Sequence, residues 1–383
     1  MTYLDYSEID LKDLDAYWTA KEIQQQPLVW EKALANLMSN QTQIDAFLQP
    51  ILAIKNLRII FTGAGTSAFV GTSIVPAVSA SLGLRVEAIA TTDLVSNPRE
   101  YFQADVPTLL VSFARSGNSP ESVGTVDYAD ALVKECYQLA VTCNASGELF
   151  KRCSGKNKFA LLMPEETNDV SFAMTSSFSS MMLSALYLFC PRETFKQQLQ
   201  QSIFATESLI NSYNQQIKAV AGKKYQRVIY LGSGVFRGLA QEGALKLLEL
   251  TDGVAVSSFD SPLGFRHGPK AIVNDQTLVI LFISNNPHTR KYDLELLKEL
   301  QADQEVGQII AISAQADSLL NPTESMVLQG MDKAEDIFLL FPYIACAQIY
   351  GFQHALAIGN TPDNPSKSGT INRVVQGVNI HAL

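Results

Sequence analysis

Glu242, Lys246 and Glu249 stand at i, i+4 and i+7 in the segment Gln241 to Leu250. That spacing puts all three charges on one stripe of a helix. Ala244, Leu245, Leu247, Leu248 and Leu250 surround them. They predict a helix that is apolar over most of its circumference and buried. Charges on a buried helix are costly unless they are paired or used. Further along, in Arg266-His267-Gly268-Pro269, lies one of the chain's four histidines. A carboxylate and an imidazole serving one pocket can shuttle protons. Burial beside leucines would lift Glu249 toward the range useful to a general base. A plainer reading stands beside this one: Glu242 and Lys246 also fit an ordinary i,i+4 ion pair.

Two turns offer a second kind of chemistry. Gly63-Ala64-Gly65-Thr66-Ser67 and Arg115-Ser116-Gly117-Asn118-Ser119 each follow a short apolar run and precede a predicted helix. Glycines there let backbone N–H groups point at an anion, and the helix dipole adds to the attraction. The hydroxyls of Thr66, Ser67, Ser116 and Ser119 and the cation of Arg115 suit a phosphate monoester. A rival reading is a dinucleotide site, since Gly63-x-Gly65-x-x-Ala68 fits the loose fingerprint and Glu87 stands near the place of a ribose-binding acid. Ser257 stands where Glu87 would map in the later half, and a dinucleotide has no need of the Ser116–Ser119 turn. Asn360 to Thr370 is rich in turn formers and reads as a loop carrying Ser366 and Lys367. A lysine there is a nucleophile toward a sugar carbonyl only if the loop folds back over the phosphate site.

These residues must be positioned by a scaffold. Strands are predicted at Leu57–Phe61, Leu84–Ala90, Pro107–Ala114, Gln138–Asn144 and Phe159–Met163, with helices between them. This alternation predicts an α/β fold with a parallel sheet covered on both faces. The pattern then repeats. Arg58–Gly65 aligns with Arg227–Gly234 and Thr108–Val111 with Thr277–Ile280, both at an offset of 169, and Gln138–Val141 with Gln308–Ala311 at 170. One offset shared by several elements predicts two copies of one domain. The expected layout is a helical arm over 1–45, a first domain over 46–192, a connecting helix over 193–220, and a second domain with its tail over 221–383.

Composition narrows the setting. With 47% hydrophobic and 17% charged residues, the chain reads as an ordinary globular protein. A net charge of −9 argues against nucleic acid or an anionic membrane as partner. Five cysteines without CxxC or metal-type spacing fit reduced thiols in a cytoplasm, and the acidic N-terminus does not read as a signal peptide. Two stretches, Val170–Pro191 and Ile337–Pro362, lack Asp, Glu, Lys and Arg. Their serine, threonine, glutamine and histidine content predicts buried helices instead of membrane spans.

The two copies resemble SIS (sugar isomerase) domains over nearly all of residues 20–383. The Glu242–Glu249 helix, Arg266-His267-Gly268-Pro269 and the Lys367 tail are similar to the isomerase half of glucosamine-6-phosphate synthase. Phe113-Ala114-Arg115-Ser116-Gly117-Asn118-Ser119-Pro120-Glu121-Ser122 is closest to the AgaS-type galactosamine-6-phosphate deaminase/isomerases. The resemblance implies tandem flavodoxin-like three-layer domains in a cytoplasmic homodimer or larger homo-oligomer with shared active sites. It implies a 6-phosphate held by Gly65, Thr66, Ser67 and Arg115 through Ser119, and Glu249 moving a proton between C1 and C2. His267, from a neighbouring subunit in similar enzymes, would open the sugar ring. Lys246 and Lys367 would complete the catalytic set, and Glu242 and Ser366 would line the pocket. The front-half loops, Glu249 and His267 are therefore expected to meet over one small phosphosugar. No metal or organic cofactor is required by this chemistry. Two departures from the synthase pattern stand out: Ala114-Arg115 for Ser-Gln, and Leu248 for a lysine, which makes the surroundings of Glu249 more apolar. Plain isomerisation, sugar-amine deglycation and phosphosugar sensing without catalysis are the other functions this resemblance leaves open.

Overall fold

The computed structural model describes residues 1–375 and 377–383 and divides into two compact units. The first-copy unit comprises Leu28–Asp169, Ser176–Arg192 and Gly369–Leu383. The second-copy unit comprises Met1–Pro27, Val170–Thr175 and Glu193–Ser368. The arm expected over 1–45 is thus divided at Pro27, and the tail is divided at Ser368.

In the first-copy unit, strands β1 (Arg58–Thr62), β2 (Arg85–Ala88), β3 (Thr108–Ala114), β4 (Cys136–Thr142) and β5 (Lys158–Leu162) form a parallel sheet in the order β2-β1-β3-β4-β5. Every residue of β1 and β3 is buried, as expected for central strands covered on both faces. In the second-copy unit, β6 (Arg227–Gly232), β7 (Val256–Asp260), β8 (Thr277–Phe282), β9 (Gln308–Ser313) and β10 (Ser325–Val327) repeat that order as β7-β6-β8-β9-β10. Arg58 pairs with Thr108, and Arg227 pairs with Thr277, so the central register is duplicated at the offset of 169. The third match needs correction by one residue. Leu109 pairs with Tyr137, whereas its counterpart Leu278 pairs with Gln308, so the pairing sets that strand at 308 − 137 = 171. The pairing decides, because a one-residue slip would turn every side chain to the other face.

Both uncharged stretches form helices inside their own units. Ser176–Phe189 is buried at every position, and Asp336–Ala357 is buried from Phe338 to Ala355. No described helix is long and apolar enough to cross a membrane.

Each copy leaves its first strand through the same turn. Gly65 and Gly234 adopt φ 55°, ψ −128° and φ 58°, ψ −121°, in the left-handed half of backbone space that favours glycine. Two residues earlier, a Cβ on Gly63 would fall 2.6 Å from the Ser67 backbone, and one on Gly232 would fall 2.5 Å from the Phe236 Cβ. The helices that follow, α1 (Thr66–Leu82) and, in the second copy, Val235–Leu250, are therefore drawn tightly onto their sheets.

Candidate active site

The strand order reverses direction between β1 and β3, and ligands of open α/β sheets gather in the crevice at such a point. The two hydroxyl-bearing turns sit there, at the carboxyl ends of β1 and β3. Thr66 and Ser67 are 4% and 5% exposed in the first turn of α1. The second turn runs from Arg115 into α2 (Pro120–Leu132) and is held from below. Asn144 donates through Nδ2 to the Ser116 carbonyl at 2.8 Å, and the Leu149 amide donates to the Gly117 carbonyl at 2.9 Å. Gly117 has φ 66°, a turn conformation open to glycine. The Asn118 amide approaches the Ser116 hydroxyl at 3.3 Å, and Ser119 donates to the Ser122 hydroxyl at 2.7 Å. Arg115 is buried and donates to the Arg373 carbonyl at 2.8 Å. Glu121, buried in the first turn of α2, has one carboxylate oxygen with no hydrogen-bond partner among the described residues. Sequence reading passed over it, although an acid in a first helical turn beside a candidate anion loop was a visible signal.

Glu87 is committed elsewhere. Its carboxylate meets Arg58 at 2.5 Å and Arg85 at 3.0 Å. Burial pushes this carboxyl up, but the two arginines outweigh it and hold the group below its usual range. The dinucleotide reading thereby loses its ribose-binding acid.

The corresponding crevice of the second copy is filled by the chain's own acids. Asp293 accepts from the Ser233 hydroxyl at 2.6 Å and from the Ser284 amide at 2.9 Å. Asp336 accepts from the Ser284 hydroxyl at 2.5 Å and from the Asn285 amide at 2.8 Å. At the offset of 169, Ser284 and Asn285 stand where the first copy has Arg115 and Ser116, and Val235 and Phe236 stand where it has Thr66 and Ser67. The second crevice therefore lacks the first turn's hydroxyls and the arginine, and carboxylates hold its loop amides. That substitution was legible at the repeat offset; the inward reach of Asp293 and Asp336 was not.

Burial lifts the Asp293 carboxyl from 3.8 to about 6, with Asp336 adding to the rise and Ser233, Ser284 and Arg290 opposing it. Burial also raises Asp336. The folded protein then binds protons more tightly than the unfolded chain between roughly pH 4 and 6, so stability falls as pH rises through that window. For Asp293 the drop is on the order of 3 kcal/mol. Asp293→Asn should flatten the decline, checked by urea unfolding at pH 5 and pH 7.5.

In the second-copy unit, α3 (Val235–Leu250) carries the charged stripe. Lys246 Nζ lies 2.5 Å from Glu249 Oε2 and 3.5 Å from Glu242 Oε1. Lys246 and Glu242 are 1% and 0% exposed, whereas the Glu249 side chain is 22% exposed. Two expectations are corrected here. Leu248 is 42% exposed, so Glu249 is not enclosed by leucines, and the Leu248 departure does not bury it. The turn of helix that carries Leu248 and Glu249 faces outward, while Leu247 and Leu250 face the core. The i,i+4 pair is real and is extended by Glu249 into a triad. Gly243 lets α3 approach closely, since a Cβ there would lie 2.9 Å from the Tyr230 ring and 3.3 Å from Ala347.

His267 is exposed, in a turn anchored by Phe265, which is 1% exposed. Its neighbours are clamped to the helix Thr289–Asp303. Arg266 meets Glu299 at 2.8 Å, and Lys270 meets Glu299 at 2.5 Å and also pairs with Asp303. In the same unit Ser366 is buried and Lys367 is exposed. The structure thus gathers Glu242, Lys246 and Glu249 in one unit and the two hydroxyl turns in the other.

Residues 51–190 and 223–342 match the SIS domain, and the chain belongs to that family. It is 45% identical over 366 residues to the D-galactosamine-6-phosphate deaminase AgaS of Escherichia coli, with 95% of each chain covered. It is 44% identical to the D-galactosamine-6-phosphate deaminase AgaS of Shewanella sp. strain ANA-3, over 97% of this chain and 93% of the other. The crystal structure of tagatose-6-phosphate ketose/aldose isomerase from Escherichia coli matches with a TM-score of 0.89 at 43% identity, covering 95% of this chain and 96% of that one.

Proposed function

We propose that this protein is an enzyme that converts D-galactosamine 6-phosphate and water to D-tagatose 6-phosphate and ammonia. The observation that carries the reading is the likeness to deaminases of that name over 95% of the chain. The contrast between the two crevices supports a single phosphate site per chain. Hydroxyls of Thr66, Ser67, Ser116 and Ser119 with the loop amides serve the phosphate, and the charge of Arg115 lies at the same loop.

The chemistry needs few groups. A donor at the ring oxygen opens the sugar, the role we give to His267. A base takes the C2 proton, leaving an enolamine, and returns a proton to C1, so that C2 becomes an imine carbon. Glu249 is that base, with Lys246 orienting its carboxylate. Water adds at C2, the C–N bond breaks, and ammonia leaves the ketose. Lys367 serves the C1–C2 end beside Ser366; Glu242, expected to line the pocket, is fully buried and supports Lys246 from within instead. A second reading, isomerisation without loss of ammonia, draws support from the name of the 43%-identical crystal structure.

The test is incubation of the pure protein with galactosamine 6-phosphate and assay of ammonia and ketose. Ammonia in step with ketose supports the proposal. No ammonia, together with ketose formed from an unaminated aldose phosphate, moves the function to plain isomerisation. Ser67→Ala with Ser116→Ala should raise KM roughly 10- to 100-fold with little change in kcat, because phosphate contacts hold ground and transition states alike. Steady-state kinetics check this, and a loss confined to kcat would remove these hydroxyls from the cradle.

A further inference from the structure

Residues 369–383 pack with the first-copy unit, and contacts at both ends of the segment hold them there. Arg115 Nη2 donates to the Arg373 carbonyl at 2.8 Å. Arg373 donates in turn to the Asp169 backbone carbonyl. The Asp169 carboxylate accepts from the Ser176 and Ser177 amides at 3.1 and 2.9 Å, which fixes that anchor to a buried helix. Nearer the terminus, the Tyr128 hydroxyl donates to the His381 carbonyl. Ile380 rests against Gly124, where a Cβ would come within 2.9 Å of its Cγ2, and the three nearest atoms all belong to Ile380. Gly124 and Tyr128 are one turn apart on α2 and share a face. Glycine is the poorest helix former after proline, so its place inside α2 has a cost. The seated isoleucine accounts for it: Gly124 is a notch.

Arg115 is 5% exposed at the end of β3, and its guanidinium is directed at a tail carbonyl. We propose that Arg115 is a positioning residue that latches a C-terminal strap, seated in the Gly124 notch, to the loop Ser116–Ser119. It acts on the reaction through that strap and not as a ligand of the phosphate. This rests on reading Ser116–Ser119 as the phosphate cradle and Lys367 as a reacting amine. Arg373 follows Lys367 by 373 − 367 = 6 residues, so the anchored carbonyl confines the lysine within about 20 Å of chain. A docked strap tethers Lys367 from its C-terminal side, while the buried Ser366 holds the chain on its other side.

Two variants separate the latch from a phosphate contact. Gly124→Leu fills the notch from outside the cradle and introduces a better helix former. Arg115→Lys keeps the charge but loses the planar fork of donors. The readouts are amide hydrogen exchange across 369–383, binding of inorganic phosphate, and kinetics with galactosamine 6-phosphate. Both variants should speed exchange of the tail about tenfold or more and lower kcat by a similar factor, with phosphate affinity kept within about threefold. Ile380→Ala, which empties the notch from the tail side, should reproduce the exchange result. Arg115→Lys that loses phosphate affinity while tail exchange stays at the wild-type rate would make Arg115 a phosphate ligand and end the proposal. Wild-type exchange in Gly124→Leu would end it as well. Exchange needs no turnover, so faster exchange in a protein inert toward galactosamine 6-phosphate would support the strap and count only against the substrate.

Discussion

Glu249→Gln is expected to lower kcat by about 10²- to 10⁴-fold while phosphosugar binding stays within a few-fold of the wild type. Glutamine keeps the size of the side chain and an oxygen for Lys246, which lies 2.5 Å from the carboxylate in the native protein. It cannot take a proton from C2. The loss should therefore fall on the proton-transfer step and leave binding of the remote phosphate nearly intact. Steady-state kinetics paired with calorimetric binding of galactosamine 6-phosphate would check it. A wild-type rate would take Glu249 out of the mechanism, and a loss confined to affinity would make it a binding residue.

Lys246→Ala should be the most destabilising change on α3, at about 3–5 kcal/mol. Lys246 is 1% exposed between two carboxylates, one of which, Glu242, is fully buried. Removing the cation leaves the Glu242 charge in the interior without it, which costs far more than the pair contributes by existing. Urea unfolding at pH 7 measures the loss. Lys246→Met combined with Glu242→Gln should recover much of it, since that pair removes both buried charges together. Failure of the double variant to recover would mean that packing around the lysine stem, and not the stranded charge, dominates.

The scaffold was legible in the sequence because it is built from local signals. Apolar runs such as Arg58-Ile59-Ile60-Phe61, the glycine turns and a constant offset between copies are short-range patterns, and both sheets follow them. The i, i+4, i+7 spacing likewise placed Glu242, Lys246 and Glu249 on one stripe, and the ion pairs bear this out. What escaped depends on which way the last helical turn faces. Leu248 looked like a core residue by type and is 42% exposed. Nor could spacing reveal that Asp336 reaches the loop after β8, or that Ile380 and His381 return to α2, since those contacts join distant parts of the chain.

The acid-filled crevice of the second copy also bears on how two copies of one architecture can differ in what fills the same hollow. A hollow lined with amide donors is a liability when no anion fills it, because each donor still demands an acceptor. Here Asp293 and Asp336 answer that demand from within, so the second crevice is an internal staple. The second half keeps its shape by supplying, from its own side chains, the acceptors that a bound anion would otherwise provide.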